Sequence, residues 1–129
     1  MINREYIYLN RILAFLVFLI SFIIYYDSMA PTVSYWDCGE FIAVAHTLGV
    51  PHPPGSPFFL LIGRIISMIP FAKDIAFRVN LLSPLSSALA VMFLYLIVVQ
   101  LVANWRGKIK EYKDVLIAFG GGIIGSLTF

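Results

Sequence analysis

The amino-acid sequence predicts an all-α, polytopic transmembrane helical protein with short juxtamembrane helices in its first outer loop. Hydrophobic residues make up 60% of the chain and charged residues 12%, against roughly 45–50% and about 25% in a typical soluble domain. A soluble fold of 129 residues could not hide so much apolar surface, because small domains leave a large fraction of their surface exposed. The apolar residues also fall in long uncharged runs, separated by a proline-rich segment.

The first apolar run predicts a transmembrane helix at about residues 10–28. No charged residue occurs between Ile12 and Tyr26, and with the residues ahead of it the run approaches the ~20 residues that a bilayer requires. Tyrosines flank the run, where an interfacial aromatic belt would place them. A cleaved signal peptide is the alternative, but the run is long for one and is followed by a poor cleavage pattern.

Two further runs predict a second span at about residues 80–103 and a third from about residue 115. The third run reaches Phe129 without a helix stop signal, so we expect the chain to be the N-terminal fragment of a longer protein. The loop between these spans, about residues 104–114, is rich in basic residues, and the positive-inside rule places it in the cytoplasm. These basic residues are Arg106, Lys108, Lys110 and Lys113. The N-terminus is then also cytoplasmic, and the loop at about residues 29–79 is periplasmic or lumenal.

This outer loop contains most of the prolines, both histidines and two apolar helical stretches. The first predicted helix covers about residues 35–48. The second covers about residues 57–69, opened by Pro57 and closed by Pro70. The second is too short to span a bilayer, and its length suits an interfacial or re-entrant helix.

Asp37 and Glu40 are the first candidate site residues. They lie three residues apart, so on a helix they share one face. A carboxylate held there, just outside a membrane span, could accept a proton from an incoming hydroxyl as a general base. The alternative is a capping box, because Ser34 with Asp37, or Asp37 with Glu40, has the spacing of one.

His52 and Arg64 are candidate phosphate contacts. Prolines around His52 fix the backbone, so the connector is stiff and can hold the imidazole in place; a rigid turn with an exposed histidine is the alternative. Arg64 lies within a short apolar helix, where a cation is costly unless it is paired or snorkels. It could pair with Asp37 or Glu40, or bind a lipid phosphate.

Other patterns exclude partners or concern packing. The net charge of +2 is small and indicates no nucleic-acid partner. His46 and His52 lack the spacing of a strong metal-ligand set, so we predict neither a metal nor a cofactor, although a divalent metal stays open. A single cysteine, Cys38, excludes an internal disulfide. Gly121 and Gly125 have the small-xxx-small spacing of close helix packing.

Two blocks of the outer loop form a signature. The first reads Asp-x-Gly-Glu and ends at Glu40, and the second reads Leu-Gly-Val-x-His-Pro-Pro-Gly-x-Pro and ends at Pro57. In order and spacing they resemble the N-terminal part of a family of multi-pass membrane glycosyltransferases. Its bacterial members were long labelled as a domain of unknown function, and a vertebrate member is a transmembrane protein O-mannosyltransferase.

The resemblance implies a GT-C-like fold and a glycosyltransferase of the bacterial inner membrane. Such enzymes move a sugar, here expected to be mannose, from a polyprenyl-phosphate donor to a protein or glycan acceptor on the outer face. By position, Asp37 would be the general base, Glu40 would support it or share its role, and His52 and Arg64 would lie near the donor phosphate. Family members have more spans and a soluble C-terminal part, so the 129-residue chain alone should be inactive. The competing function is a non-enzymatic membrane scaffold or transporter segment with a rigid outer loop.

Overall fold

The structure is a computed structural model that describes residues 4–53, 55–107 and 112–128, without the side chains of Arg4 and Glu5. Within these ranges the chain forms α-helices and no strand, which confirms the all-α fold class. In chain order the helices are α1 (Arg4–Asp27), α2 (Cys38–Thr47), α3 (Pro57–Met68), α4 (Ile75–Asn80), α5 (Leu82–Arg106) and α6 (Tyr112–Leu127).

Among the described residues, two segments are long and apolar enough to cross a membrane. They are Tyr6–Asp27, in α1, and Ile75–Arg106, in α4 and α5, each with a mean hydropathy of 2.3. Only 17% and 22% of their most apolar windows are buried, whereas the core helix of a soluble protein would be mostly buried. Exposed apolar surface of this extent is what a membrane helical protein presents to lipid.

The described residues divide into two compact units. The span unit consists of Met1–Tyr25 and Ser86–Phe129, and the loop unit consists of Tyr26–Leu85. The span unit therefore holds most of α1 and α5 and all of α6. The loop unit holds α2, α3 and α4, together with the irregular segments that connect them.

The core of the span unit is made largely of small and β-branched residues from α1, α5 and α6. Its buried members are Ala14, Val17, Val91, Tyr95, Val99, Ala103, Val115, Ala118 and Phe119. A Cβ added at Gly122 would lie 2.7 Å from Val99 Cγ2 and 3.0 Å from the Tyr95 ring, so α6 approaches α5 closely at this glycine. A Cβ at Gly121 or Gly125 would meet no described atom within 4 Å. The close packing predicted at those two glycines is therefore wrong within the described chain, where it occurs at Gly122, one residue after Gly121.

The predicted loop at about residues 104–114 is helical at both ends. α5 continues to Arg106 and α6 already begins at Tyr112, and Arg106 Nε lies 3.2 Å from Asp114 Oδ1. Residues 108–111, which include two of the lysines used to predict orientation, lie outside the described residues.

The loop unit packs α2, α3 and α4 around a small core that includes the buried residues Ile42, Ala76 and Val79. Gly63 of α3 lies close to α2, because an added Cβ would be 3.1 Å from Ala45 Cβ. α3 begins at Pro57 and ends at Met68, close to its predicted bounds. α4 is an addition to the two predicted loop helices, and its first turn is capped by Asp74, whose carboxylate accepts from Ala76 N at 2.8 Å.

α2 is shorter than the predicted helix at about residues 35–48. It begins at Cys38, because Trp36 has a φ of +63°, which lies outside the right-handed helical region. At the other end Leu48 takes the left-handed conformation with a φ of +54°, and Gly49 N donates to Val44 O at 3.0 Å. The left-handed residue that ends the helix is thus Leu48, the residue before Gly49.

Candidate active site

Asp37 and Glu40 lie at the start of α2, as the sequence predicted. Asp37 occupies the N-cap position, but within the described residues its carboxylate makes no capping hydrogen bond. Glu40 lies in the first turn of the helix, and both of its oxygens are engaged by His52. The reciprocal hydrogen bonds of a capping box are therefore not what holds these two acids.

Glu40 binds His52 through two contacts. Its Oε1 accepts from the backbone N–H of His52 at 2.8 Å, and its Oε2 lies 2.8 Å from His52 Nδ1. The Phe41 ring meets the His52 ring edge to face, with centroids 5.8 Å apart, and Phe41 in turn packs on Phe59 at 6.0 Å. The connector between α2 and α3 is thus held against the first turn of α2.

His52 also faces Asp37, since its Nε2 lies 3.8 Å from Asp37 Oδ2. The imidazole therefore has one ring nitrogen directed at each carboxylate. The side chains of Asp37, Glu40 and His52 are 54%, 39% and 47% exposed, so the cluster is open to a ligand. We call these three residues the acid–histidine cluster.

The contacts in this cluster change its protonation. The hydrogen bonds from His52 lower the pKa of Glu40 below its ordinary value of 4.5. The hydrogen bond to Glu40 and its negative charge raise the pKa of His52 above its ordinary value of 6.5. Each partner stabilises the charged form of the other, so an anionic Glu40 paired with a cationic His52 is the favoured state between these two values.

The acid–histidine cluster has the donor set of a divalent-cation site. One ligand atom from each of Asp37, Glu40 and His52 lies within 4.8 Å of the other two, and two carboxylate oxygens with one imidazole nitrogen suit such an ion. From the sequence a metal was not predicted, since His46 and His52 lack the spacing of a strong ligand set, but a divalent metal was left open. The combination of Asp37, Glu40 and a histidine twelve residues further on was the signal available.

Arg64 lies elsewhere in the loop unit. Its Nη1 donates to the backbone carbonyl of His46, near the end of α2, and six residues of helix, or ~9 Å at 1.5 Å per residue, separate His46 from Glu40. Ser67 also joins Arg64 to His46, because its hydroxyl lies 3.2 Å from His46 Nδ1 and donates to Arg64 O at 2.8 Å. Among the described residues the structure does not pair Arg64 with Asp37 or Glu40, and its role as a phosphate contact stays a prediction.

Asn80 is a residue of the site region that no sequence motif singled out. Its side chain contacts Ala30, Thr32 and Cys38, in the segment that leads into α2. A cavity of about 390 Å³ lies beside it. The cavity is lined by Cys38, Phe41, Ile42, Ser56, Phe59, Val79, Asn80 and Ser83, so it is mainly apolar and shares Phe41 with the surroundings of His52.

Comparisons with known proteins agree with the signature in the outer loop. Residues 37–129 match the family described as the protein O-mannosyl-transferase TMEM260 N-terminal domain. The chain is 40% identical over 100 residues to the protein O-mannosyl-transferase tmem260 of Dictyostelium discoideum, covering 75% of this chain and 12% of that protein. It is 45% identical over 74 residues to the protein O-mannosyl-transferase TMEM260 of Mus musculus, covering 57% of this chain and 10% of that protein.

No solved structure matches the chain. The chain spans only about a tenth of the length of these curated relatives. The matched region begins at Asp37 and includes the whole acid–histidine cluster. Because the family match extends over most of the sequence, the chain belongs to the family of the protein O-mannosyl-transferase TMEM260 N-terminal domain.

Proposed function

We propose that this chain supplies the acidic part of the active site of a GT-C type membrane glycosyltransferase. The enzyme would transfer a sugar, mannose according to the names of its relatives, from a polyprenyl-phosphate donor to a protein or glycan acceptor. The full-length protein carries out the reaction, since the chain covers so little of its relatives. The acid–histidine cluster at the start of α2 is the observation that carries the proposal.

Asp37 is the general base in this proposal. Both oxygens of Glu40 are engaged by His52, and its lowered pKa makes Glu40 a weaker proton acceptor. Asp37 has a carboxylate that makes no capping hydrogen bond and is 54% exposed. The acceptor hydroxyl therefore meets Asp37 as the freer of the two acids, while Glu40 supports the cluster through His52.

The proposed reaction is a single displacement that inverts the sugar. The acceptor oxygen forms a bond to the anomeric carbon as the bond from that carbon to the phosphate oxygen breaks. Asp37 takes the proton of the acceptor hydroxyl, and the electron pair of the broken bond leaves with the polyprenyl phosphate. A positive charge near that phosphate stabilises the departing anion.

His52 and Arg64 are the proposed sources of that charge. The raised pKa of His52 keeps its imidazole protonated to higher pH. Arg64 donates one hydrogen bond to His46 O, and a guanidinium has five N–H donors in all. The remaining donors can bind a phosphate, although His52 is the cation that lies beside the acids.

The proposed reaction takes place on the periplasmic or lumenal side, with the N-terminus in the cytoplasm. The basic residues after α5 support this orientation through the positive-inside rule. A polyprenyl carrier is confined to the bilayer, so its phosphate would reach the loop unit at the membrane surface. A bacterial inner membrane stays a prediction, since the matched relatives named above come from an amoeba and a mouse.

The test is mannosyl transfer by the full-length protein from a short-chain polyprenyl-phosphate mannose to a peptide acceptor. We expect Asp37→Asn to lower turnover by about 10²–10⁴-fold, the usual contribution of a general base. Asp27→Asn is the matched control, because it makes the same change at an exposed residue of the loop unit at the end of α1. Unchanged turnover in the Asp37 variant would remove this residue from the mechanism.

Binding of the donor separates the enzyme from a scaffold or transporter segment. The full-length wild-type protein should bind the polyprenyl-phosphate mannose, and Asp37→Asn should retain most of that binding, because the proposed role of Asp37 is toward the acceptor. A protein that folds but binds no such donor would favour the non-enzymatic alternative.

A further inference from the structure

The side chain of Asn80, the last residue of α4, joins this helix to the irregular segment before α2 and to the first residue of α2. Its Nδ2 donates to Ala30 O at 3.0 Å and to Thr32 O at 2.9 Å. Its Oδ1 accepts from Cys38 Sγ at 3.7 Å. These partners lie 50, 48 and 42 residues away in sequence, so the contacts are made only when the loop unit is folded.

Asp37 needs such support because the backbone is helical only after it, from Cys38 onward. The segment at residues 28–37 contains only turns, bends and irregular backbone. Trp36, directly before the acid, has a φ of +63°, which is unfavourable for a bulky residue and persists only where the surroundings hold it. The indole does not supply that hold, since Trp36 is 93% exposed.

A second contact joins the same two regions. The Thr32 side chain hydrogen-bonds Asp74, the residue that caps α4. Thr32 is therefore bound to both ends of α4, through Asp74 at its start and Asn80 at its end. Cys38, which follows Asp37, is bound to the same Asn80. Residues on both sides of Asp37 in the sequence are therefore hydrogen-bonded to Asn80.

We propose that Asn80 is a positioning residue that sets the location of the Asp37 carboxylate, an inference that rests on the proposed function of Asp37. A primary amide suits this task, since it has two donors on one atom and an acceptor on another. The two donors hold the carbonyls before Trp36, and the acceptor holds the thiol after Asp37. Errors of about 1 Å in the placement of a reacting group can cost ~100-fold in rate.

Asn80→Asp in the full-length protein is the sharpest variant, because it keeps the size and the acceptor but removes the donors. We expect kcat to fall at least about tenfold, while the KM for the donor stays within about twofold, since the change concerns position rather than uniform binding. Gln100→Glu is the matched control. It also converts an amide to an acid, but among the described residues Gln100 bonds to Asn104 on the exposed side of α5, so kcat should not change. If Asn80→Asp does not fold, Asn80→Ala repeats the test without adding a charge.

A double-mutant cycle distinguishes positioning from general damage. Asp37→Glu already displaces the carboxylate, so in that background Asn80→Asp should cost much less than the loss it causes in the wild type. The same fold-loss in both backgrounds, or an undiminished kcat in Asn80→Asp alone, would overturn the proposal.

Alkylation of Cys38, followed by mass spectrometry of its peptide, reports on the attachment without an activity assay. Asn80→Ala removes the acceptor for the Cys38 thiol and should make Cys38 react faster, whereas Gln100→Glu should leave its rate unchanged. An unchanged rate in an active Asn80→Ala variant would overturn this inference but not the proposed function. A full-length protein that folds yet transfers no sugar would instead overturn the proposed function, and with it the positioning role of Asn80.

Discussion

The span unit and the loop unit hold their helices together in different ways. In the span unit the core is apolar, and Gln100 and Ser126 make local side-chain hydrogen bonds, to Asn104 and to Ile123 O. The ion pair of Arg106 with Asp114 joins α5 to α6, at residues close in sequence. In the loop unit polar side chains join residues that are far apart in sequence, such as Glu40 with His52 and Asn80 with Thr32. Close packing therefore defines the first unit, and hydrogen bonds between distant segments define the second.

This difference explains which unit offers exposed polar side chains for a reaction. Gln100 and Ser126 bond within their own helices and Arg106 pairs with Asp114, whereas the loop unit exposes two acids and a histidine at one helix end. Substitutions in the two units should accordingly fail in different ways. Changes at packing positions of the span unit should lower stability, and changes at the acid–histidine cluster should lower turnover while the protein stays folded.

The largest stability effect is expected at Gly122. An alanine there would place its Cβ 2.7 Å from Val99 Cγ2, and overpacking of this kind costs ~1–3 kcal/mol. Gly121→Ala is the matched control, because its Cβ meets no described atom within 4 Å, and both changes gain the same helix propensity. Thermal unfolding of the purified full-length protein should separate the two variants. If they unfold at the same temperature, the close approach of α5 and α6 at this glycine is wrong.

A smaller effect, on turnover rather than on stability, is expected from Glu40→Gln. The amide keeps the shape of the side chain but loses the charge that raises the pKa of His52, so turnover should fall by about tenfold as the cluster loosens. Asp27→Asn again supplies the control. A Glu40 variant with full turnover would show that the His52 contact does not support the reaction.

The pH dependence of the same variant sharpens the comparison. The raised pKa of His52 means that the stabilisation from its pairing is complete below its ordinary value of 6.5 and is lost as the pH rises through the raised value. The lowered pKa of Glu40 means that its contribution is present above 4.5 and is lost as the pH falls through the lowered value. In Glu40→Gln the alkaline limb of kcat/KM should move to lower pH, toward 6.5. If the alkaline limb does not move, the group that titrates there is not His52.

Much of the fold could be predicted from the sequence, because it depends on local composition. The long uncharged runs indicate α1 and α5, and Pro57 marks the start of α3. The start of α2 at Cys38 could not be predicted, since nothing in the local pattern signals that Trp36 takes a positive φ. α4 was hidden because it is short and merges with the apolar run that follows.

The candidate site was predicted in part for the same reason. The spacing of Asp37 and Glu40 indicates a shared helix face, and the structure places both at the start of α2. Their contact with His52 depends on how the proline-rich connector folds back, and the place of Arg64 beside His46 depends on how α3 packs on α2. The importance of Asn80 follows only from contacts across more than forty residues, which no local pattern reveals.

The central claim is that the acid–histidine cluster lies on the non-cytosolic side of the membrane, where carrier and acceptor can meet. Tyr35→Cys tests it most directly, because Tyr35 is 90% exposed and lies two residues before Asp37. A membrane-impermeant maleimide should label it in the full-length protein from the periplasmic or lumenal side, and should label Lys113→Cys, at the exposed start of α6, only from the cytosolic side. Labelling of Tyr35→Cys from the cytosolic side alone would contradict the claim.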